Sequence, residues 1–142
     1  MNMVFVCRSA LADSCISNLF LAMEAKKMGK DVAVLFTEEA LLAVVNGVFR
    51  WSPQLTPQNI RLRLADRAAN LNLPVMGSGV GKQLDTKEMI RRGKEAGITM
   101  LACSPWVELL GLEDKLPAGI TKGDTALILK MIEEAHVIVS SP

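Results

Sequence analysis

The sequence predicts an α/β fold built on a mostly parallel sheet, and three observations carry that prediction. Met3–Cys7 is a short, continuous apolar run rich in β-branched and aromatic residues, as a strand covered on both faces requires; residues 31–36 read as a second buried strand and residues 98–103 as a further one. Between them stand stretches in which apolar residues recur at the helical rather than the two-residue period. Strand, helix and strand follow one another without long gaps, the βαβ order that implies right-handed crossovers between parallel strands.

The elements follow in order. After Met3-Val4-Phe5-Val6-Cys7, Ser9 offers a helix cap, and from Leu11 apolar residues recur at Cys15, Leu19, Phe20 and Met23. Lys26, Lys27 and a C-capping Gly29 close that helix. A second strand, Asp31-Val32-Ala33-Val34-Leu35-Phe36, runs into Thr37, an N-cap followed by the first-turn acids Glu38 and Glu39. The apolar stretch from Ala40 to Phe49 contains Asn46 and Gly47 and is near half the length that crosses a bilayer, so it reads as a buried or partner-facing helix. Pro53, Pro57 and Pro74 interrupt the middle of the chain, where residues 60–73 form a helix carrying Arg61, Arg63 and Arg67, with a flap or a subunit contact as alternative roles for the region. After Gly77-Ser78-Gly79-Val80-Gly81-Lys82, Asp85 caps a helix that runs through Glu95 and ends at Gly97. The strand at 98–103 leads into Ser104 and Pro105, the cap and first turn of a short helix ending near Gly111. Residues 119–121 form a short edge strand, 124–135 a helix and 137–139 the last strand.

A chain of 142 residues with an apolar fraction of 50% fits one domain, residues 1–142, whose core needs neither disulfides nor a structural metal. Its 16 basic and 15 acidic residues nearly cancel, so no global field draws it to nucleic acid or an anionic membrane. The amino-terminal apolar run is shorter than a signal-peptide core and is broken by Arg8 and Asp13, and no stretch is long enough for a membrane span. The three cysteines are an odd number, widely spaced, without a CxxC pair or zinc-ligand spacing. Reduced thiols, a cytoplasmic location and the absence of metal or cofactor are the expectations.

Ligands of open α/β sheets bind beyond the carboxyl ends of the strands. Cys103 ends a strand there and precedes a helix start, whose free amides and positive dipole end favour thiolate over thiol. Cysteine is also a common small buried hydrophobe, so a reactive nucleophile and an inert core residue are both open readings. Cys7 ends the first strand, and a sheet in which strands one and four are neighbours would bring it near Cys103 as a redox pair or shared sulfur site; core packing is the competing reading. Cys15 lies on an apolar helix face and reads as packing.

The stretch from Gly77 to Lys82 fails the phosphate-loop fingerprint because Gln83 stands where Ser or Thr is needed, and it lacks the dinucleotide spacing; it reads as a flexible loop over the site. The Cys7-Arg8-Ser9-Ala10 turn is too poor in Gly, Ser and Thr for a flavin or nucleotide phosphate. Arg8, Arg61, Arg63, Arg67 and Lys82 could surround a sulfur oxyanion or a partner's acidic face, with a solvated helix face as the plainer account of the three middle arginines. His136, the sole histidine, sits at an element boundary, and no hydrolase motif accompanies it. Trp106, three residues after Cys103, either shields the thiol, packs at a subunit contact or belongs to the core, and Trp51 is the only other tryptophan.

The stretch Ile98-Thr99-Met100-Leu101-Ala102-Cys103-Ser104-Pro105-Trp106-Val107-Glu108-Leu109-Leu110-Gly111-Leu112, followed by Leu116, Gly119 and Gly123, resembles the peroxiredoxin-like branch of the DsrE/DsrF family of small sulfur-relay proteins. The resemblance extends over residues 4–36, the glycine-lysine stretch before Asp85 and the closing Glu134-Ala135 segment. It implies a flavodoxin-like three-layer α/β/α sandwich with about five mostly parallel strands, a homo-oligomer, and a persulfide-carrying cysteine at Cys103. Read from their own positions in the chain, Cys7, Arg8, Lys82, Ser104 and Trp106 are the candidate accessory residues, and Ser104-Pro105-Trp106 gives the cysteine a bulkier neighbour than the family pattern has. The implied activity is sulfur carriage or sulfur transfer between donor and acceptor proteins or small thiols. The alternative is a noncatalytic, homo-oligomeric binding or regulatory protein of the same fold.

Overall fold

The structure, a computed structural model, describes residues 2–141. Strand β1 (Met3–Cys7) is followed by helix α1 (Ala12–Lys27), β2 (Val32–Phe36) and α2 (Glu38–Asn46). The middle of the chain holds α3 (Gln58–Arg67), 3-10 turns at Pro53–Leu55 and Ala68–Leu71, and the two-residue strands β3 (Val75–Met76) and β4 (Gln83–Leu84). Then come α4 (Thr86–Glu95), β5 (Thr99–Cys103), α5 (Ser104–Leu110), β6 (Ile120–Gly123), α6 (Thr125–Glu134) and β7 (Val137–Ser141).

Five strands form one sheet in the order β6-β5-β2-β1-β7, and every pairing in it is parallel. The steps from β1 to β2, β5 and β6 all move in one direction, so right-handed crossovers place α1, α2, α4 and α5 on one face. The return from β6 to β7 crosses the whole sheet in the opposite direction and puts α6 on the other face. Side-chain alternation follows. Phe5, Cys7, Val34, Phe36, Met100 and Ala102 pack with Cys15, Leu19, Leu41, Met89 and Val107 on the first face, whereas Val4, Ala33, Leu35 and Leu101 pack with Ile128 and Met131 of α6 on the second. All five residues of the central strand β2 are buried. The result is the expected α/β fold, a flavodoxin-like three-layer sandwich.

Local chemistry explains most boundaries and corrects several. Asp85 Oδ1 accepts from the Glu88 amide at 3.0 Å and so caps α4, and Asp124 Oδ1 does the same for α6 through the Leu127 amide at 2.8 Å. Ser9 is not the cap of α1: Leu11 holds that position, and the Ala12 amide donates to the Arg50 carbonyl at 2.7 Å. A segment 38 residues later thus satisfies a group that the sequence assigns to a local side chain. The Asp13 carboxylate fixes the same segment, accepting from the Ser52 amide at 3.0 Å and its hydroxyl at 2.6 Å. Thr37 occupies the N-cap of α2 as expected, yet its side chain makes no capping hydrogen bond. The helix placed at 60–73 begins at Gln58 and gives way to a 3-10 turn after Arg67. Instead of a plain flexible loop, residues 77–82 connect β3 and β4, an antiparallel ribbon. A small cluster of Ile16, Ala68 and Leu84, with Trp51, Leu64 and Leu73 against it, ties that ribbon and α3 to α1.

Gly93 lets α4 pack closely on β5 and α1, since a Cβ there would stand 2.7 Å from Met100 Cε and 3.5 Å from Leu19 Cδ2. Among the described residues no helix is long and apolar enough to cross a membrane, and no group of three or more His, Cys, Asp or Glu side chains is arranged to hold a metal.

Candidate functional site: the carboxyl rim at Cys103

Cys103 is the last residue of β5 and the N-cap of α5, with extended backbone at φ −67° and ψ 117°. The cap is therefore the cysteine itself rather than Ser104, which is the first residue of the helix. Its thiol makes no capping hydrogen bond, and Pro105 contributes no amide in the first turn. The side chain is half-buried against the α6-face cluster of Val4, Leu101, Ile128 and Met131.

Register defines its neighbours. Cys103 pairs with Gly123 on one side. On the other, Ala102 pairs with Phe36, so Thr37 stands level with Cys103 on β2's continuation. The backbone of Thr37 is still extended, φ −141° and ψ 163°, so alternation returns its side chain to the face of the thiol, where it is buried. Thr37 also donates its amide to the Cys7 carbonyl at 3.0 Å, extending the ladder by one step.

Beside this row, Arg8 Nε donates to Glu38 Oε2 at 2.9 Å, and the Arg8 carbonyl accepts from the Ala40 amide at 3.2 Å. Glu38 has φ +55°, a left-handed conformation that costs a non-glycine residue about 1 kcal/mol. The ion pair and the strained backbone both lie where β1 and β2 leave the sheet, at the edge on which α/β folds bind ligands. Glu38 carries no sequence signal beyond its acidity in a helix first turn, because a positive φ at glutamate is set by the tertiary path and not by the residue. Thr37 is legible only as a cap.

The structure does not bring Cys7 to Cys103. Strand β2 lies between their strands, and Cys7, paired with Phe36, points into the α1 face while Cys103 points into the α6 face. Cys7 is buried, and its Sγ accepts from Asn18 Nδ2 at 3.4 Å. Burial pushes its thiol up to about 12, against the opposing pull of the Asn18 hydrogen bond. Burial, and then the neighbouring Cys7, push Cys15 up as well. Burial thus favours the protonated form of both thiols.

The other expected accessories scatter. Lys82 pairs with Asp66 of α3 at 3.4 Å, in the ribbon region held to α1 rather than at the thiol. Trp106 packs against the α1-face cluster, whereas Cys103 packs with the α6-face cluster. Arg63 and Arg67 are exposed on α3 and Arg61 is half-buried there, on an element that packs with the ribbon. Trp51 donates to Gln83 Oε1 at 3.5 Å. His136 is exposed before β7, its amide bonded to the Asn2 carbonyl at 3.1 Å.

No protein-family model matches the chain, and no curated protein matches it in sequence. Its structure is similar to the crystal structure of the ychN protein from E. coli, with a TM-score of 0.64 and 15% identity, over 99% of each chain. At that identity the likeness is one of fold: the α/β sandwich built above is shared across the full length of both chains.

Proposed function

We propose that the protein is a single-domain sulfur carrier of the DsrE/DsrF-like kind, a sulfurtransferase subunit that holds sulfane sulfur as a persulfide on Cys103. One observation carries this reading: of three unpaired cysteines, Cys103 alone is not sealed in the core, and it stands at the carboxyl rim of the sheet. In the loading step the Cys103 thiolate attacks the outer sulfur of a donor persulfide. A new S–S bond forms as the donor's S–S bond breaks, and the electron pair leaves on the donor thiolate. Discharge reverses the pattern: an acceptor thiolate takes the outer sulfur, and Cys103 departs as thiolate. No external oxidant or reductant is consumed in either half.

Arg8 lies at the same rim, where its ion pair with Glu38 already offsets its charge, so an anionic donor meets it only by displacing that carboxylate. The protein works in a reducing compartment, the cytoplasm, which its unpaired thiols suit. It self-associates, because β7 is an uncharged edge strand whose Val137 and Ile138 are each 46% exposed. Sedimentation as a monomer at high concentration would remove that last element.

The test is intact-mass spectrometry of the reduced protein after brief exposure to glutathione persulfide. The expected result is a gain of sulfur in the parent and in Cys7→Ser but not in Cys103→Ser. No gain in the parent, beside a reactive control thiol, would instead support a noncatalytic binding protein of this fold.

A further inference from the structure

A cleft of about 350 Å³ opens on the face of the sheet opposite Cys103, between α4, the end of α2 and the connection from α5 to β6. Its floor is apolar: Val44, Ile90 and Ile120 are buried beneath it. Three lysines, Lys87, Lys94 and Lys115, line it, and among the described residues no acidic side chain does. Among the described residues none of the three has a carboxylate oxygen within 4.0 Å, although eight other cation–carboxylate contacts occur.

Two of these lysines are steered by glycines. The end of Lys87 lies across Gly47, where φ is +71° and a Cβ would stand 2.8 Å from both Cε and Nζ. The stem of Lys94 lies across Gly119, where φ is +87° and a Cβ would stand 2.6 Å from its Cδ, and its Nζ donates to the Ala118 carbonyl at 2.6 Å. Part of this charge has a structural use. Helix α2 ends at Gly47 with no basic residue in its own last turn, so Lys87 offsets its carboxyl-terminal dipole. That dipole amounts to only about −0.5 elementary charge, which leaves most of three positive charges unbalanced around one concavity.

We infer that this cleft binds a small organic phosphate, its phosphoryl group taken by Lys115 with Lys87 and Lys94 and its apolar part laid on Ile90 and Ile120. The chemistry follows from the lining: lysines serve as point charges for phosphoryl oxygens, while an apolar floor favours a ligand with a hydrocarbon or aromatic portion over a bare ion. The volume lies at the small end of the range for ligand pockets. This site is independent of the sulfur reading, since it lies across the sheet from Cys103 and uses no thiol.

Phenyl phosphate is the probe, titrated into isotopically labelled protein at constant ionic strength and followed by amide chemical shifts. Saturable shifts centred on Gly47, Ile90 and Ile120 are expected, with weaker binding of inorganic phosphate and none of benzyl alcohol. Lys115→Gln, a change in an exposed connection, is expected to weaken binding at least about fivefold, the loss of one charge-assisted contact, as is Lys87→Gln. Lys130→Gln on α6 should leave it unchanged. Shifts that fail to saturate, that match those from added chloride, or that survive in Lys115→Gln with unaltered affinity would overturn the assignment.

Discussion

Cys7 and Cys103 end strands of one sheet yet face opposite sides of it, with Phe36 of β2 between Cys7 and Ala102. Two interstrand steps separate their strands by roughly 10 Å, beyond the ~7 Å over which two cysteines can be bridged. Any sulfur chemistry at the rim therefore falls to one thiol without a resolving partner in the same chain.

Thiol counting tests that separation. With Cys7 and Cys15 buried and Cys103 half-exposed, one thiol per chain should react rapidly with a colorimetric disulfide reagent in the native state and three after unfolding. Native Cys103→Ser should show none. Rapid native reaction at Cys7 would contradict the packing of α1 on β1.

Stability should fall in alkali for the same reason. Cys7 ionises near 9.0 when exposed and near 12 in the folded protein, so the unfolded chain loses its proton first. The stabilisation is complete below about pH 9 and is lost as pH rises toward 12, at about 1.4 kcal/mol per pH unit for one group. Urea unfolding measured across this range should give a shallower slope for Cys7→Ala than for the parent. Equal slopes would mean that the buried thiol does not contribute.

Glu38 separates strain from charge. Both Glu38→Ala and Glu38→Gly remove the ion pair to Arg8, but only glycine relieves the backbone at φ +55°. The glycine variant should therefore be more stable than the alanine variant by about 1 kcal/mol, the reverse of their order inside an ordinary helix. Denaturant midpoints of the two decide it, and a more stable alanine variant would show that the conformation is not held.

The caps offer a simpler check. Asp85→Ala should cost about 1 kcal/mol and Asp85→Asn much less, because asparagine also accepts from the Glu88 amide. Equal losses for the two substitutions in thermal unfolding would place the effect in the carboxylate's charge instead.

The strands and most helices are legible in the sequence because their signals are local. Met3–Cys7 and Val32–Phe36 are apolar without interruption since both faces are covered, and Asp85 and Asp124 announce the helices that they cap. What escapes reading depends on distant partners. The first amide of α1 is met by the Arg50 carbonyl rather than by the Ser9 side chain, and β3 and β4 are two residues long with exposed Val75 and Met76, so no apolar run marks them. The sequence places Cys103 at a strand end, but its relation to Cys7 depends on strand order, which no local pattern encodes. Glu38 and Thr37 gain their places at the rim from the same register.

The most direct test is discharge of the loaded protein. Cys103-persulfidated protein, freed of donor, is mixed with excess of a small acceptor thiol, and both are followed by mass. Return of the protein to its unmodified mass, matched by formation of the acceptor persulfide, is the expected result. A modification that stays on Cys103, or one that departs equally from protein loaded at another thiol, would contradict relay through this residue.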